Sequence, residues 1–239
     1  MVKVWKSFGA TVIGPGHITT CKPNQDAWLG FHHTWGDGIV VSDGLGSKQY
    51  SDFGSHSACL AVAHAVYASS NSQIEQSALC ENVKDKWLSL ISPLEPKDCA
   101  ATCLFAYRTN ERTITLGMLG DGLVAVVKND GSVESLSDGK TEGFSNITVA
   151  LSAKVKASNW KILSLPEDEC QSIILCTDGV SEDLSDTDGF VKEFCSAHRN
   201  LASVSAARNV REMLVNWPTP KHSDDKTIAC LFCEEVTDE

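Results

Sequence analysis

Ile39-Val-Val-Ser-Asp43-Gly44-Leu-Gly-Ser47 is an apolar run that stops at an aspartate followed by a glycine. A buried strand that ends in a carboxylate holds that group rigidly, and the glycine turns the chain while leaving its own carbonyl close and accessible. The arrangement returns at Thr115-Leu-Gly-Met-Leu-Gly-Asp121-Gly122 and at Ile173-Ile-Leu-Cys-Thr-Asp178-Gly179. Asp-Gly is also among the commonest turn dipeptides, and Asp130-Gly131 reads as an ordinary hairpin turn, so any one pair alone is a turn before it is a ligand. Two further acidic strand edges change the weighing. Asn24-Gln25-Asp26-Ala27-Trp28 lies ahead of an early strand, and Ser223-Asp224-Asp225-Lys226-Thr227 runs into Ile228-Ala-Cys-Leu-Phe-Cys233. Acids at strand edges along the whole chain point to one composite, oxygen-lined pocket for hard divalent cations.

Around these edges the apolar period predicts strands over 2–8, 27–33, 38–42, 100–108, 112–119, 123–128, 160–165, 172–177 and 227–234. Helical spacing over 51–69, with Ala58, Val62 and Val66 on one face, is followed by a second helix over 73–91 that ends before Pro93. A later pair is expected over 187–198 and 201–216, the last stopping before Pro218. Consecutive strands with helices in pairs depart from βαβ alternation. They favour an α+β layered sandwich, antiparallel sheets covered by helices.

At 239 residues with 42% hydrophobic content, the chain can fill one large core, and a single domain over 1–239 is expected. The net charge of −11 opposes binding to nucleic acid or an acidic membrane surface, where phosphate repulsion would act at every contact. The opening MVKVWKSFGATV lacks the apolar stretch of a secretory signal and no run approaches a membrane span, so a reducing cytoplasm is the expected setting. The ten cysteines then read as small buried hydrophobes; Cys230-Leu-Phe-Cys233 has no second pair at zinc-site spacing.

Asn-Gln-Asp26-Ala, Val-Ser-Asp43-Gly-Leu-Gly-Ser, Leu-Gly-Asp121-Gly, Cys-Thr-Asp178-Gly-Val-Ser-Glu182-Asp and Ser-Asp224-Asp-Lys-Thr, taken in order, resemble the motifs of the protein phosphatase 2C family of metal-dependent phosphatases. The resemblance runs from about residue 8 to 234, and Asp43-Gly-Leu-Gly-Ser with Ser51-Asp-Phe-Gly-Ser is similar to its compact bacterial branch. It implies a four-layer α-β-β-α sandwich with two cations, Mn2+ or Mg2+, in the cleft between two antiparallel sheets. Asp43 would bridge the cations, the Gly44 carbonyl would bind one, Asp178 and Asp224 would complete the second, and Asp26 would hold water of the metal shell. Asp225 is expected to be a neighbour and no ligand. A weaker third site is implied at Asp121 and Glu182, with Asp178 shared; the competing reading of Glu182 is a solvated acid opening a helix. A water shared by two cations about 3.5–4 Å apart becomes acidic enough to attack a phosphate monoester without a protein nucleophile.

Departures from the pattern carry information. Cys21 stands where many members carry a phosphate-gripping arginine, leaving Lys22 or His17 as candidate phosphate ligands, each also readable as an ordinary loop residue. Gln25 replaces a common glutamate, and Leu45 a histidine that eukaryotic members use as general acid. The remaining histidines, 32, 33, 56, 64, 198 and 222, show no ligand spacing and read as structural or surface residues. Residues 137–159, including Asn146, read as a flap-like insertion beside the site, where the family varies. The resemblance implies hydrolysis of phosphoserine and phosphothreonine in phosphoproteins, opposing a Ser/Thr kinase in a bacterial cell; the residues themselves argue for metal-assisted phosphomonoester hydrolysis. The alternative is a catalytically weak or inactive phosphoprotein-binding regulatory module of the same fold, motivated by Cys21, Gln25 and Leu45. Phosphatases that form an aspartyl-phosphate are excluded, because neither Asp43 nor Asp178 has a second aspartate two residues away.

Overall fold

Antiparallel hydrogen bonding joins the first and last strands: β1 (Val2–Val12) lies beside β10 (Lys226–Val236), with Val2 opposite Val236 and Val12 opposite Lys226. The computed structural model describes residues 2–70, 75–137 and 148–236. The sheet continues from β10 to β9 (Cys170–Cys176), β6 (Leu123–Lys128) and β7 (Val133–Ser137). A second five-stranded sheet runs β2 (Asp26–His33), β3 (Gly36–Asp43), β4 (Cys103–Thr109), β5 (Thr113–Leu119) and β8 (Lys161–Pro166), again wholly antiparallel.

Alternation along the strands sorts side chains into three apolar layers. Ile39, Val41, Leu104, Ala106, Ile173, Leu175, Ala229 and Leu231 point between the sheets and pack together. The intervening Val40, Cys103 and Phe105 meet α2 (Ser51–Ser69) and α3 (Gln76–Ile91) on one outer face. Ile174, Cys176, Ile228, Cys230 and Phe232 meet α5 (Thr187–His198) and α6 (Ser203–Val215) on the other. Strands with both faces covered read as continuous apolar runs, which is why their ends, where the run breaks at a polar residue, stand out in the sequence. Trp87 of α3, fully buried, donates its indole N–H to the Gly54 carbonyl of α2 at 3.0 Å and so ties the two helices of one layer together.

The expected layered sandwich is the observed architecture. The short α1 (Pro15–Thr20) and β7 lie outside the ranges expected from the apolar period, although the Asp130-Gly131 hairpin implies a strand where β7 stands. α1 is six residues long with none buried, so no apolar period marks it. β7 carries Glu134 and Ser135 on a sheet edge, where partial exposure removes the hydrophobic signal. β1 also runs four residues past its expected end at residue 8, through Gly9-Ala-Thr-Val12, because pairing with β10 continues to Lys226. Of the expected flap, residues 138–147, Asn146 among them, lie outside the described residues. Among the described residues no helix is long and apolar enough to cross a membrane.

Candidate metal centre

Strand ends from both sheets meet at one rim. In the β2–β3 register Asp26 is directly opposite Asp43, so hydrogen bonding alone places two carboxylates side by side. The Asp43 peptide is clamped from the next strand's approach: its N–H donates to Thr102 Oγ1 at 2.9 Å, and its carbonyl accepts from Thr102 N at 2.7 Å. Asp121 occupies the turn between β5 and β6, flanked by Gly120 and Gly122 at φ of 95° and 112°, backbone conformations that L side chains rarely adopt. Asp178 opens the short helix α4 (Asp178–Ser181) at the end of β9, and Asp224 stands two residues before β10.

Carboxylate oxygens of Asp43, Asp121 and Asp178 lie within 4.8 Å of one another. They line a cavity of about 170 Å³ together with Asp224, Gly44, Gln25, Leu45, Gly46 and Thr148. Asp26 sits beneath this rim, 2% exposed, with one carboxylate oxygen accepting from Thr177 Oγ1 and Thr227 Oγ1 at 2.8 Å each. Burial pushes its pKa up to about 7, aided by the charge of Asp225 and opposed by the two threonine hydroxyls. Burial, with repulsion from Asp224, Asp121 and Glu182, likewise raises Asp178 to about 7. Asp43 is lifted well above the usual carboxylate range by burial and by Asp26, Asp178 and Asp224. Such a constellation is short of positive charge.

The donor set fits hard divalent cations. Every group lining the cavity that could coordinate offers oxygen, and none offers histidine nitrogen or thiolate. Gln25 supplies an independent sign: its Nε2 donates to Ser51 Oγ at 2.7 Å, while its Oε1, also buried, has no hydrogen-bond partner. A buried unpaired acceptor on the wall of an acidic cavity suits a cation or its hydration water.

The other residues singled out in the sequence take different places. Glu182 lies at the exposed C-terminal end of α4, acts on Asp178 through its charge, and does not line the cavity. Lys22 is exposed and donates to the Gly46 carbonyl at 3.0 Å, which puts it at the cavity's edge. His17 turns its Nδ1 to Asp225 Oδ2 at 2.8 Å. Asp225, 2% exposed, also accepts from Gly14 N at 2.6 Å and Gln25 N at 2.7 Å, fastening α1 and the start of β2 to β10. It is a structural neighbour of the cluster.

Two groups escaped the sequence reading. Thr148 donates to Asp121 Oδ2 at 2.8 Å, and only its place within the expected flap could have signalled it. Lys226, 2% exposed, contacts His222 Nδ1 at 3.0 Å and donates to the Asp224 carbonyl at 3.2 Å, its ammonium made more acidic by burial. A lysine directly before an apolar strand gives no sign in the sequence of being buried.

A family model described as protein phosphatase 2C matches residues 13–215. Among curated proteins no sequence matches the chain. Solved structures share its fold at low identity. A bacterial serine phosphatase is 16% identical with a TM-score of 0.71, covering 98% of this chain and 100% of its own. RsbX in complex with magnesium is 17% identical with a TM-score of 0.64, covering 96% of each chain. The catalytic domain of the serine threonine protein phosphatase PstP, in complex with two manganese ions, is 15% identical with a TM-score of 0.64, covering 98% of this chain and 100% of its own.

Proposed function

We propose, because the chain belongs to the protein phosphatase 2C family and is a protein serine/threonine phosphatase, that it hydrolyses phosphoserine and phosphothreonine in phosphoproteins at the rim formed by Asp43, Asp121, Asp178 and Asp224. The observation that carries the reading is the convergence of three carboxylates within 4.8 Å, on a rim where half-buried Asp43 and Asp178, above buried Asp26, hold their protons more tightly than isolated aspartates. Asp43, Asp178, Asp224 and the Gly44 carbonyl would hold two divalent cations of the manganese or magnesium kind; Asp121, with Asp178 shared, would hold a weaker third. Such cations supply, when bound, an acidified water as nucleophile and neutralisation of charge on the transferring phosphoryl group.

The chain's own residues do the rest. Asp26, fixed by Thr177 and Thr227, is placed beside Asp43 to accept a hydrogen bond from the attacking water and orient it. Thr148 holds Asp121 in its rotamer by occupying one of its oxygens. Lys22, anchored on Gly46, brings a cation to the cavity's edge where a phosphate would approach. His17, engaged by Asp225, acts by fixing the loop behind that edge. Leu45 lines the cavity where it can donate no proton, so the leaving alkoxide takes its proton from solvent. An open rim at the sandwich edge suits a phosphorylated side chain presented by a protein, such as the product of a Ser/Thr kinase.

Turnover of p-nitrophenyl phosphate and of a phosphothreonine peptide should require manganese or magnesium, vanish with chelator and return on metal addition. Asp43→Asn should lower kcat at least about 100-fold. Absent turnover by intact protein would refute the proposal and favour the non-catalytic binding module, and turnover unchanged by chelator would refute its dependence on metal.

A further inference from the structure

The edge strands β1 and β2 approach each other where the two sheets meet, and a chain of hydrogen bonds crosses between them. Ser7 Oγ lies 2.7 Å from His32 Nε2, and His32 Nδ1 lies 2.8 Å from Asp37 Oδ1. His32 is six residues along β2 from Asp26, about 20 Å at the rise of an extended strand, so this group is separate from the acidic rim. Close approach is permitted by glycine: a Cβ on Gly30 would lie 2.6 Å from Ser7 Oγ.

The order of the three groups fixes the direction of the bonds. A carboxylate only accepts, so the hydrogen between His32 and Asp37 is assigned to Nδ1; in the neutral ring Nε2 is then the acceptor, and Ser7 is the donor. Asp37 is itself held. Arg108 Nη1 donates to its second oxygen at 3.1 Å, and Arg108 Nε donates at 3.1 Å to Glu167 Oε1, which also accepts from the buried Trp5 indole at 2.8 Å. Glu167 is 3% exposed, so the orienting end is rooted in the core while the His32 side chain is 39% exposed and open to reagents. A hydroxyl beside a base, with the base oriented by a fixed carboxylate, is the arrangement that activates serine as a nucleophile.

We propose that Ser7, His32 and Asp37 form a second, metal-independent reactive centre that accepts acyl groups from small activated carboxylic esters. Ser7 Oγ attacks the ester carbonyl carbon as His32 Nε2 takes the hydroxyl proton. The tetrahedral alkoxide collapses, the bond to the leaving oxygen breaks, and that oxygen receives the proton from His32. Water, deprotonated by the same nitrogen, then releases the carboxylic acid and restores Ser7. β1 and β2 each pair on one side only, so Ser7 and His32 both stand on sheet edges. Selection falls on the reactivity of the ester and not on its shape.

The test uses the full chain in excess chelator, which silences metal-dependent phosphate hydrolysis. A fluorophosphonate probe followed by intact mass and peptide mapping should place one adduct per chain on Ser7, and p-nitrophenyl acetate should be hydrolysed with a burst of one acyl group per chain. Ser7→Ala should abolish both while leaving manganese-dependent phosphatase turnover unchanged, and His32→Gln should slow labelling about 100-fold or more. Labelling of the native wild-type protein no faster than Ser7→Ala, or an adduct on another residue, would overturn the proposal and leave the Ser7–His32 pair as a tether between sheets. Because the adduct is mapped on the wild-type chain itself, the test does not depend on the variants folding.

Discussion

Replacing Asp26 by asparagine should strengthen the metal-free fold while weakening the enzyme. The carboxyl is 2% exposed and binds its proton up to about pH 7, against an ordinary value of 3.8. Below about pH 4 both folded and unfolded chains carry the proton, and burial has no electrostatic cost. Between about pH 4 and 7 the unfolded chain releases the proton while the fold retains it, so stability falls as pH rises, and above about pH 7 the full penalty stands. At about 1.4 kcal/mol per pH unit the penalty is roughly 2 kcal/mol at pH 5 and roughly 4 kcal/mol at pH 8. Asparagine removes the charge, and its Oδ1 still accepts from Thr177 and Thr227. In a chain of this length 1 kcal/mol moves the melting midpoint by about 2–4 °C, so the gain in Tm of Asp26→Asn over wild type should be at least about 5 °C larger at pH 8 than at pH 5. Thermal melts in chelator at both pH values provide the assay. Turnover with manganese should fall in the same variant. An equal Tm gain at the two pH values, or none at pH 8, would refute the assignment of a strained buried carboxyl at this position.

Asp225→Ala leaves the N–H groups of Gly14 and Gln25 without their acceptor and should destabilise the fold by about 3 kcal/mol or more in urea titrations, with Asp225→Asn milder. Thr148→Val releases Asp121 from a hydrogen bond of the charge-assisted kind, and the manganese concentration needed for half-maximal activation should rise about tenfold, read from an activation curve. Trp87→Ala removes a fully buried indole and its tie to Gly54 and should lower unfolding free energy by about 3–5 kcal/mol, with little change in kcat where the protein remains folded.

The parts of the molecule that could be read in advance are those where local chemistry and tertiary demand agree. Ile39-Val-Val and Ile173-Ile-Leu are covered on both faces, so they announce themselves as uninterrupted apolar runs, and the aspartates that end them are visible by contrast. α1 and β7 bury little and therefore leave no periodic trace. The ends of β1 and β4 are set by their partners in register, which a single segment cannot reveal. Within the site, the acids had a sequence signature because a strand must end in them. Thr148 and Lys226 had none, because a hydroxyl bound to an acid 27 residues away and a buried ammonium are both products of long-range contact; Gln25 was visible as a departure from the motif, but its unpaired amide oxygen was not. The same holds for Ser7, His32 and Asp37, whose alignment depends on two sheets meeting at their edges.

Pairing of β1 with β10 has a practical corollary. The strands run side by side from Val12 and Lys226, next to the acidic cluster, to Val2 and Val236, about 30 Å away at the rise of an extended strand. Val2 and Val236 therefore stand at the pole opposite the acidic cluster. Joining Val2 to Val236 through a short peptide and reopening the chain in the turn at Asp130-Gly131 would yield a circular permutant whose acidic pole is undisturbed.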